Sequence, residues 1–434
     1  MTSDKNINDL KPFEARSVIE DLRKGSVPIN HVPFFTVGRK KWLTSIGDDL
    51  EQYIAEGGAK VRFINGDYGD GKTHFMSIIR HLSLQKGFAV SFVVLTRDVP
   101  VHKFEVVYRE LVRQLCGSFE GAGLRSLIDQ WAESLKDNLT DNGESSLQEK
   151  LNQFRDTMRA ISGMDLNFAN ALISLVENRF LPLAEGETKK ERSEAFETLC
   201  QWFEGGKISK RELKPFQIFE SLNKTNSKLF LNSLIAFLRY VGYKGLILLI
   251  DELETIIPQS ASVRNAGYEN VRLLIDNTEQ AQFFYIFFSI IPDVLLSEKG
   301  FKSYDALWSR IRSVGESKGL NYRGVLVNLH RTPLKPDELI ELGISLRHIH
   351  EIAYRWDSKD LITDELIKKI CEAQQRMGLL SEVRLYIKQI IRYLDMAEQG
   401  ESPDSDELLT EQIVIAQKEL EEEKTEHLQP DWDS

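Results

Sequence analysis

The segment from Gly66 to Thr73 constrains this chain more than any other part of its sequence. It reads GDYGDGKT and matches the pattern G-x-x-x-x-G-K-T. Its glycines allow the backbone to curl, so that successive N–H groups point inward at phosphate oxygens. Lys72 would reach the β- and γ-phosphates of a nucleotide, and the Thr73 hydroxyl would bind Mg²⁺. The residues predicted to hold the nucleotide at this segment are Gly66, Gly69, Asp70, Gly71, Lys72, Thr73 and His74.

The flanking sequence supplies the strand and the helix that such a loop requires. Residues 61–64 predict a short strand before the loop. Residues 73–86 carry apolar side chains at helical spacing and predict a helix that stops at Gly87. The positive end of this helix would face the phosphates. The context therefore supports a nucleotide-binding loop rather than a chance match.

Further apolar runs predict the rest of a sheet. Residues 88–95 form an apolar run interrupted only by Ser91, as expected of a parallel strand covered on both faces. Similar runs occupy residues 245–250, 283–291 and 325–329. Five short strands separated by helices predict a doubly wound α/β fold with a parallel five-stranded sheet.

The remaining segments predict four regions. Residues 1–60 form a helical leader, and residues 61–335 form the α/β domain with a large helical insertion at about 103–240. Residues 336–400 show helical periodicity alone and predict a C-terminal helical lid. Residues 401–434 form a tail with twelve acids and two bases, which accounts for most of the net charge of −11. This tail is either a partner-binding segment or a solubilising end.

Two acids follow the strand at 245–250 and would complete the site. Asp251 would hold Mg²⁺, directly or through water. Glu252 would orient the water that attacks the γ-phosphate and accept its proton. The alternative is a pair of surface acids after a buried strand.

Four further residues are weaker candidates for the reaction. Ser289, at the end of the next strand, would hydrogen-bond the γ-phosphate or its water; the alternative is a buried hydroxyl bonded to backbone. Arg310 or Arg312 would reach across a subunit boundary to a neighbour's nucleotide, or would form a surface ion pair. Arg384, at the start of a helix in the lid, would contact the γ-phosphate from the lid side or serve only structure.

The order of these motifs resembles that of the AAA+ ATPases, in particular the branch of origin-recognition proteins and signalling ATPases with a Gly-Arg box. Residues 35–39, FTVGR, are similar to that box. Residues 35–39, 66–75 and 242–252 together resemble the BrxC/BrxD family, ATP-binding proteins of bacterial phage-defence (BREX) loci, and the chain length is similar to that of BrxD-like members. The resemblance implies that Gly38 and Arg39 border the base or ribose. It further implies that Ser289 is the first sensor residue, Arg310 the arginine finger and Arg384 the second sensor residue.

Composition and resemblance together favour an ATP-hydrolysing, Mg²⁺-dependent oligomeric switch or motor that acts in the cytoplasm with other defence proteins, on double-stranded DNA. The longest apolar run is far shorter than the roughly 20 residues of a membrane span, so no membrane partner is expected. The three cysteines lack C-x-x-C spacing, so neither disulfides nor a zinc site is indicated. A nucleotide-locked interaction scaffold with little hydrolysis is the alternative, and a P-loop kinase of a small metabolite is less favoured.

Overall fold

The structure, a computed structural model, describes residues 7–136, 139, 146–183, 185, 187–277, 281–311, 320–379, 382–401, 414, 415 and 418. Within these residues the fold is a mixed α/β fold, which confirms the predicted class. Nearly all of the acidic tail lies outside the described residues, and so does Arg312.

One sheet of six strands is present in the described part of the chain. Its spatial order is β3-β2-β4-β5-β1-β6, and all neighbours are parallel except β2 and β3. The strands are β1 (Ala59–Asn65), β2 (Ala89–Val94), β3 (Leu115–Cys116), β4 (Leu246–Asp251), β5 (Phe284–Ile290) and β6 (Leu326–Asn328). The prediction of five strands missed β3, because a strand of two residues is too short to show an alternating pattern.

The helices lie on both faces of the sheet and beside the carboxyl ends of its parallel strands. They are α1 (Pro12–Arg23), α2 (Lys40–Asp49), α3 (Lys72–Gln85), α4 (Phe104–Arg113), α5 (Gly123–Ser134), α6 (Leu147–Ala160), α7 (Leu166–Phe180), α8 (Lys189–Phe203), α9 (Lys210–Leu213), α10 (Ser227–Tyr240), α11 (Ala261–Asn277), α12 (Pro292–Leu296), α13 (Asp305–Ile311), α14 (Pro336–Tyr354), α15 (Asp364–Arg376) and α16 (Val383–Glu398). Helices α4–α10 occupy the predicted insertion, and we call α14–α16 the lid.

Alternate side chains of the central strands enter two different cores. In β4, Leu248 packs towards the helical insertion, whereas Leu249 packs towards α2 and α3. Every residue of β4 and of β5 is buried, because helices cover both faces. This burial explains why these two strands read as continuous apolar runs instead of alternating ones.

The leader divides between two parts of the molecule. Helix α1 packs against the lid, and its buried residues Val18, Ile19 and Leu22 join the lid core. Helix α2 instead packs on the sheet through Trp42 and Ile46. The leader therefore connects the lid to the sheet, and the polypeptide between α1 and α2 passes the edge where the predicted site lies.

Candidate nucleotide-binding site

The carboxyl ends of the parallel strands bring the predicted site residues to one edge of the sheet. Strand β1 ends immediately before Gly66, whose N–H donates to the Ile290 carbonyl at 3.2 Å. Strand β4 ends at Asp251, and Ser289 lies near the end of β5. Because β1, β4 and β5 are hydrogen-bonded neighbours, these three ends adjoin. The sheet thus assembles residues more than 200 positions apart in sequence.

The loop after β1 needs glycine at two of its positions. Gly69 has φ +95° and Gly71 has φ +83°, a left-handed backbone that strains residues with a side chain. Helix α3 begins directly after Gly71, at Lys72. The N-terminal end of a helix of this length carries unpaired N–H groups and partial positive charge, which suits phosphate oxygens.

The Lys72 ammonium is held close to its own loop. It donates to the carbonyl of Gly66 at 3.1 Å and to that of Asp67 at 3.4 Å. The Tyr68 ring centroid lies 5.0 Å from it, in the range of a cation–π contact. The sequence motif gave no reason to expect its fourth neighbour, Glu254, whose carboxylate lies 3.6 Å away.

Two hydroxyl groups converge on Asp251. Thr73 donates to its Oδ2 at 2.7 Å, and Ser289 donates to its Oδ1. The backbone N–H of Glu252 lies within hydrogen-bonding distance of both Asp251 Oδ1, at 3.1 Å, and the Ser289 hydroxyl, at 3.0 Å. A carboxylate and a hydroxyl in contact are oxygen ligands of the kind Mg²⁺ prefers, so this donor set fits that ion.

Glu252 has a strained backbone. Its φ is +63° and ψ is +40°, in the left-handed region that residues other than glycine seldom adopt. The bonds to its N–H hold it in this conformation. Its half-buried side chain lines two neighbouring cavities, one beside the loop and one on the far side of Tyr68.

The first cavity lies between the sheet edge, the leader and the lid. Its walls include Val27, Phe35 and Val37 of the leader, Leu334 just before the lid and Leu342 of α14 in the lid. These apolar walls suit a nucleobase, while the loop provides a polar end. Of the predicted residues, Gly38, Arg39, Gly69, Asp70, Gly71, Lys72, Thr73, His74, Glu252 and Arg384 line this cavity.

Arg39 and His74 connect the leader to the loop and to α3. The Arg39 guanidinium donates to the Asp70 carbonyl, and burial lowers its pKa to about 10. The Thr36 hydroxyl donates its proton to the Val32 carbonyl and therefore accepts a hydrogen bond from His74 Nε2, 3.1 Å away. We accordingly place a proton on His74 Nε2. Burial, with a further contribution from Arg39, lowers the pKa of His74 to about 3, so this histidine is neutral.

A second group of possible ligands lies on the outer side of the loop. Asp67, Asp70 and His330 each place one ligand atom within 4.8 Å of the others. The Asp70 carboxylate accepts the Asp67 N–H at 2.7 Å, and burial raises the pKa of Asp70. Asp67 and His330 are exposed.

The arginines take different positions. Arg384 lines the first cavity, and its guanidinium lies against Gly25. Next to it, the Glu382 carboxylate approaches Gly69 of the loop, a contact the sequence did not predict. Arg310 is exposed, lies outside the cavity lining and forms an ion pair with Asp276 of its own chain.

The fold and the cavity define a class: a mixed α/β protein whose glycine-rich loop lines a cavity between a sheet and a helical lid. More narrowly, the chain belongs to the family of BREX system ATP-binding proteins BrxC/D, whose family model matches residues 10–413. This match confirms the family resemblance noted from the sequence, and it gives the chain an ATP-binding role associated with a defence system. No curated protein and no solved structure matches the chain. None of the helices in the described ranges is long and apolar enough to cross a bilayer.

Proposed function

We propose that this protein is an AAA+ type ATPase that binds Mg²⁺-ATP in the first cavity and hydrolyses it. The observation that carries the proposal is the convergence of Lys72, Thr73 and Asp251 at one sheet edge. These groups are the cation, hydroxyl and carboxylate that a nucleoside triphosphate with its metal requires. The strand order and the lid support the AAA+ assignment, because each motif follows the strand on which the resemblance places it.

In this proposal the loop holds the phosphates and the apolar walls hold the base. Thr73 and Asp251 would hold Mg²⁺, which would neutralise phosphate charge. Ser289 would keep the Asp251 carboxylate oriented through its hydroxyl. Glu252 would accept the proton of the attacking water, since its side chain lines the cavity and its backbone is fixed. Arg384 would contact the phosphates from the lid.

Loss of the Lys72 ammonium tests the site directly. Lys72→Ala should weaken ATP binding at least a hundredfold, because the loop loses the ammonium that would bind the phosphates. Titration calorimetry with Mg²⁺-ATP measures this, with Lys86→Ala at the far end of the same helix as control. Wild-type affinity in a folded Lys72→Ala variant would exclude this cavity as the ATP site.

We further propose that subunits associate and act with other components of the defence system on double-stranded DNA in the cytoplasm. Arg310 is exposed and lies outside its own cavity, which suits a role at a neighbour's nucleotide. Its ion pair with Asp276 favours the alternative, a nucleotide-locked scaffold in which no arginine crosses the subunit boundary and hydrolysis is slow. Concentration dependence of turnover distinguishes the two.

A further inference from the structure

Glu254 occupies a position that the proposed reaction does not require. It lies on the short turn Leu253–Ile256 that follows β4, and Leu253 and Ile256 anchor this turn in the core. Its carboxylate is 3.6 Å from the Lys72 ammonium, with side-chain exposures of 4% and 6%. Among the described residues, neither carboxylate oxygen of Glu254 has a hydrogen-bond partner. Lys72 is therefore its principal compensating charge.

A buried carboxylate without hydrogen-bond donors is expensive to keep charged. Consistent with this, burial raises the pKa of Glu254, while the Lys72 ammonium opposes this shift and favours the charged carboxylate. The side chain lines the second cavity and not the first, so it approaches Lys72 from the side of the second cavity.

The pair affects any anion that binds at the loop. Phosphate oxygens that bind Lys72 must compete with Glu254 for the same ammonium, and they approach a second negative charge that water does not screen. Both effects oppose binding of di- and triphosphates. They act on ATP and ADP alike, because both nucleotides place phosphates at the loop.

We propose that Glu254 is a positioning residue that competes with nucleotide phosphates for Lys72 and thereby lowers the affinity of the site for ADP and ATP. The inference rests on the proposed function, because it assumes that Lys72 binds phosphate. Glu252 and Glu254 then have opposite roles: Glu252 serves the attack of water, and Glu254 limits the affinity of the site. An acid two residues beyond the proposed base thus sets how tightly ADP binds.

The test compares ADP binding in wild type, Glu254→Gln and the control Asp293→Asn by titration calorimetry. Asp293 lines the same second cavity but is exposed, so its charge is screened. Glu254→Gln should lower the Kd for ADP about tenfold or more, and Asp293→Asn should leave it unchanged. The melting temperature of nucleotide-free Glu254→Gln should be lower than that of wild type, because Lys72 loses its buried partner. The increase in melting temperature on adding ADP should be larger in Glu254→Gln than in wild type.

An unchanged or higher Kd in folded Glu254→Gln overturns the inference while leaving the proposed function intact. If wild type itself does not bind ADP or ATP, the proposed function fails and the inference fails with it. Should Glu254→Gln not fold, Glu254→Asp keeps the charge but withdraws it from Lys72 by about one bond length. Its Kd for ADP should lie below that of wild type, and an equal or higher value overturns the inference.

Discussion

Asp251 is the residue on which the proposed metal site depends, and Ser289 fixes one of its two oxygens. Because Ser289 and Asp251 are both buried, loss of the hydroxyl leaves Asp251 Oδ1 with the Glu252 N–H as its remaining neighbour. The carboxylate would then rotate more freely about its terminal bond. A residue that orients a metal ligand typically changes metal affinity without abolishing binding.

Ser289→Ala should therefore raise the Mg²⁺ concentration for half-maximal ATP turnover by roughly tenfold. Ser91→Ala is the matched control, since Ser91 is also a fully buried strand serine that donates one hydrogen bond, to the Leu111 carbonyl. Both variants should lose about 1 kcal/mol of unfolding free energy. An equal Mg²⁺ requirement in the two variants would mean that Ser289 contributes stability only.

Single residues differ in how well the sequence predicts them. Lys72 and Thr73 are predicted because the loop motif specifies their identity and spacing within a few residues. Glu254 and Glu382 were not predicted, because their proximity to Lys72 and Gly69 results from the turn after β4 and from the docking of the lid. Arg39 was expected beside the base or ribose, and its bond to the loop carbonyl of Asp70 was not foreseen.

At the scale of elements, the contact between α1 and the lid determines the shape of the cavity. Gly25, just after α1, has φ +74°, and a Cβ there would lie 2.4–2.9 Å from the Arg384 guanidinium. Gly378, after α15, has the same φ, and a Cβ there would meet no atom of the described residues within 4 Å. Comparing alanine substitutions at these two glycines therefore distinguishes the effect of backbone strain from the effect of displacing Arg384.

Gly25→Ala should destabilise the protein more than Gly378→Ala, for which we expect about 1 kcal/mol from the left-handed backbone alone. Because Gly25→Ala displaces Arg384, it should also weaken ATP binding several-fold, whereas Gly378→Ala should not. Thermal unfolding and calorimetry measure the two effects. Equal ATP affinities in the two variants would show that Arg384 does not contact the nucleotide.

A second contact between α1 and the lid is ionic. Asp395 of α16 accepts hydrogen bonds from Arg23 Nη2 at 2.7 Å and from His350 Nε2 at 3.0 Å. Burial raises the pKa of Asp395, but the bonds from His350 and Arg23 outweigh it, so the pKa lies below its ordinary value. A carboxyl group with a lowered pKa stabilises the fold above its unfolded pKa and loses this effect as the pH falls through its folded pKa.

Asp395→Asn should consequently lower the free energy of unfolding by about 1–2 kcal/mol near pH 7. The effect is this small because the Asp395 carboxylate is partly exposed and water screens its charge. The difference from wild type should shrink as the pH falls below about 4, where the unfolded-state carboxyl group is already protonated. Urea unfolding at several pH values measures it. Glu398→Gln, an exposed acid on the same helix, serves as control and should change neither quantity. A difference independent of pH would contradict the ionic origin.

The elements differ in how readily their patterns reveal them. Strands β4 and β5 coincide with continuous apolar runs, because burial on both faces requires apolar residues throughout. Strand β1 also carries Lys60 and Arg62, so its prediction depended on fewer apolar residues. Helix α8 is not singled out by apolar periodicity, since its first half is charged and largely exposed. Its capping box, in which the Thr188 hydroxyl accepts the Glu191 N–H, is a local signal that could have predicted its start.

At the scale of the whole molecule, the leader and the lid enclose the first cavity from one side. Helix α13, which carries Arg310, does not line this cavity. Arg310 and Arg272 share Asp276, so the exposed Arg310 is held by its own chain. If Arg310 acts on the nucleotide of a neighbouring subunit, it must exchange its ion pair with Asp276 for a contact with a phosphate group. Exposed ion pairs are weak enough for such an exchange.

Arg310→Ala should therefore lower turnover per subunit and remove its rise with protein concentration, because the contribution of the neighbour is lost. Asp276→Asn, which weakens the competing pair, should retain or increase both. Steady-state ATPase assays over a range of protein concentrations measure this. Identical concentration dependence in wild type and Arg310→Ala would favour the scaffold alternative.

Hydrolysis at the first cavity is the central claim, and Glu252→Gln tests it most directly because the change removes the base while preserving size. The measurement is ATP turnover per subunit, with ATP binding followed on the same samples. Glu252→Gln should bind ATP at least as tightly as wild type and turn it over at least a hundredfold more slowly. A turnover rate equal to that of wild type in Glu252→Gln would contradict the central claim.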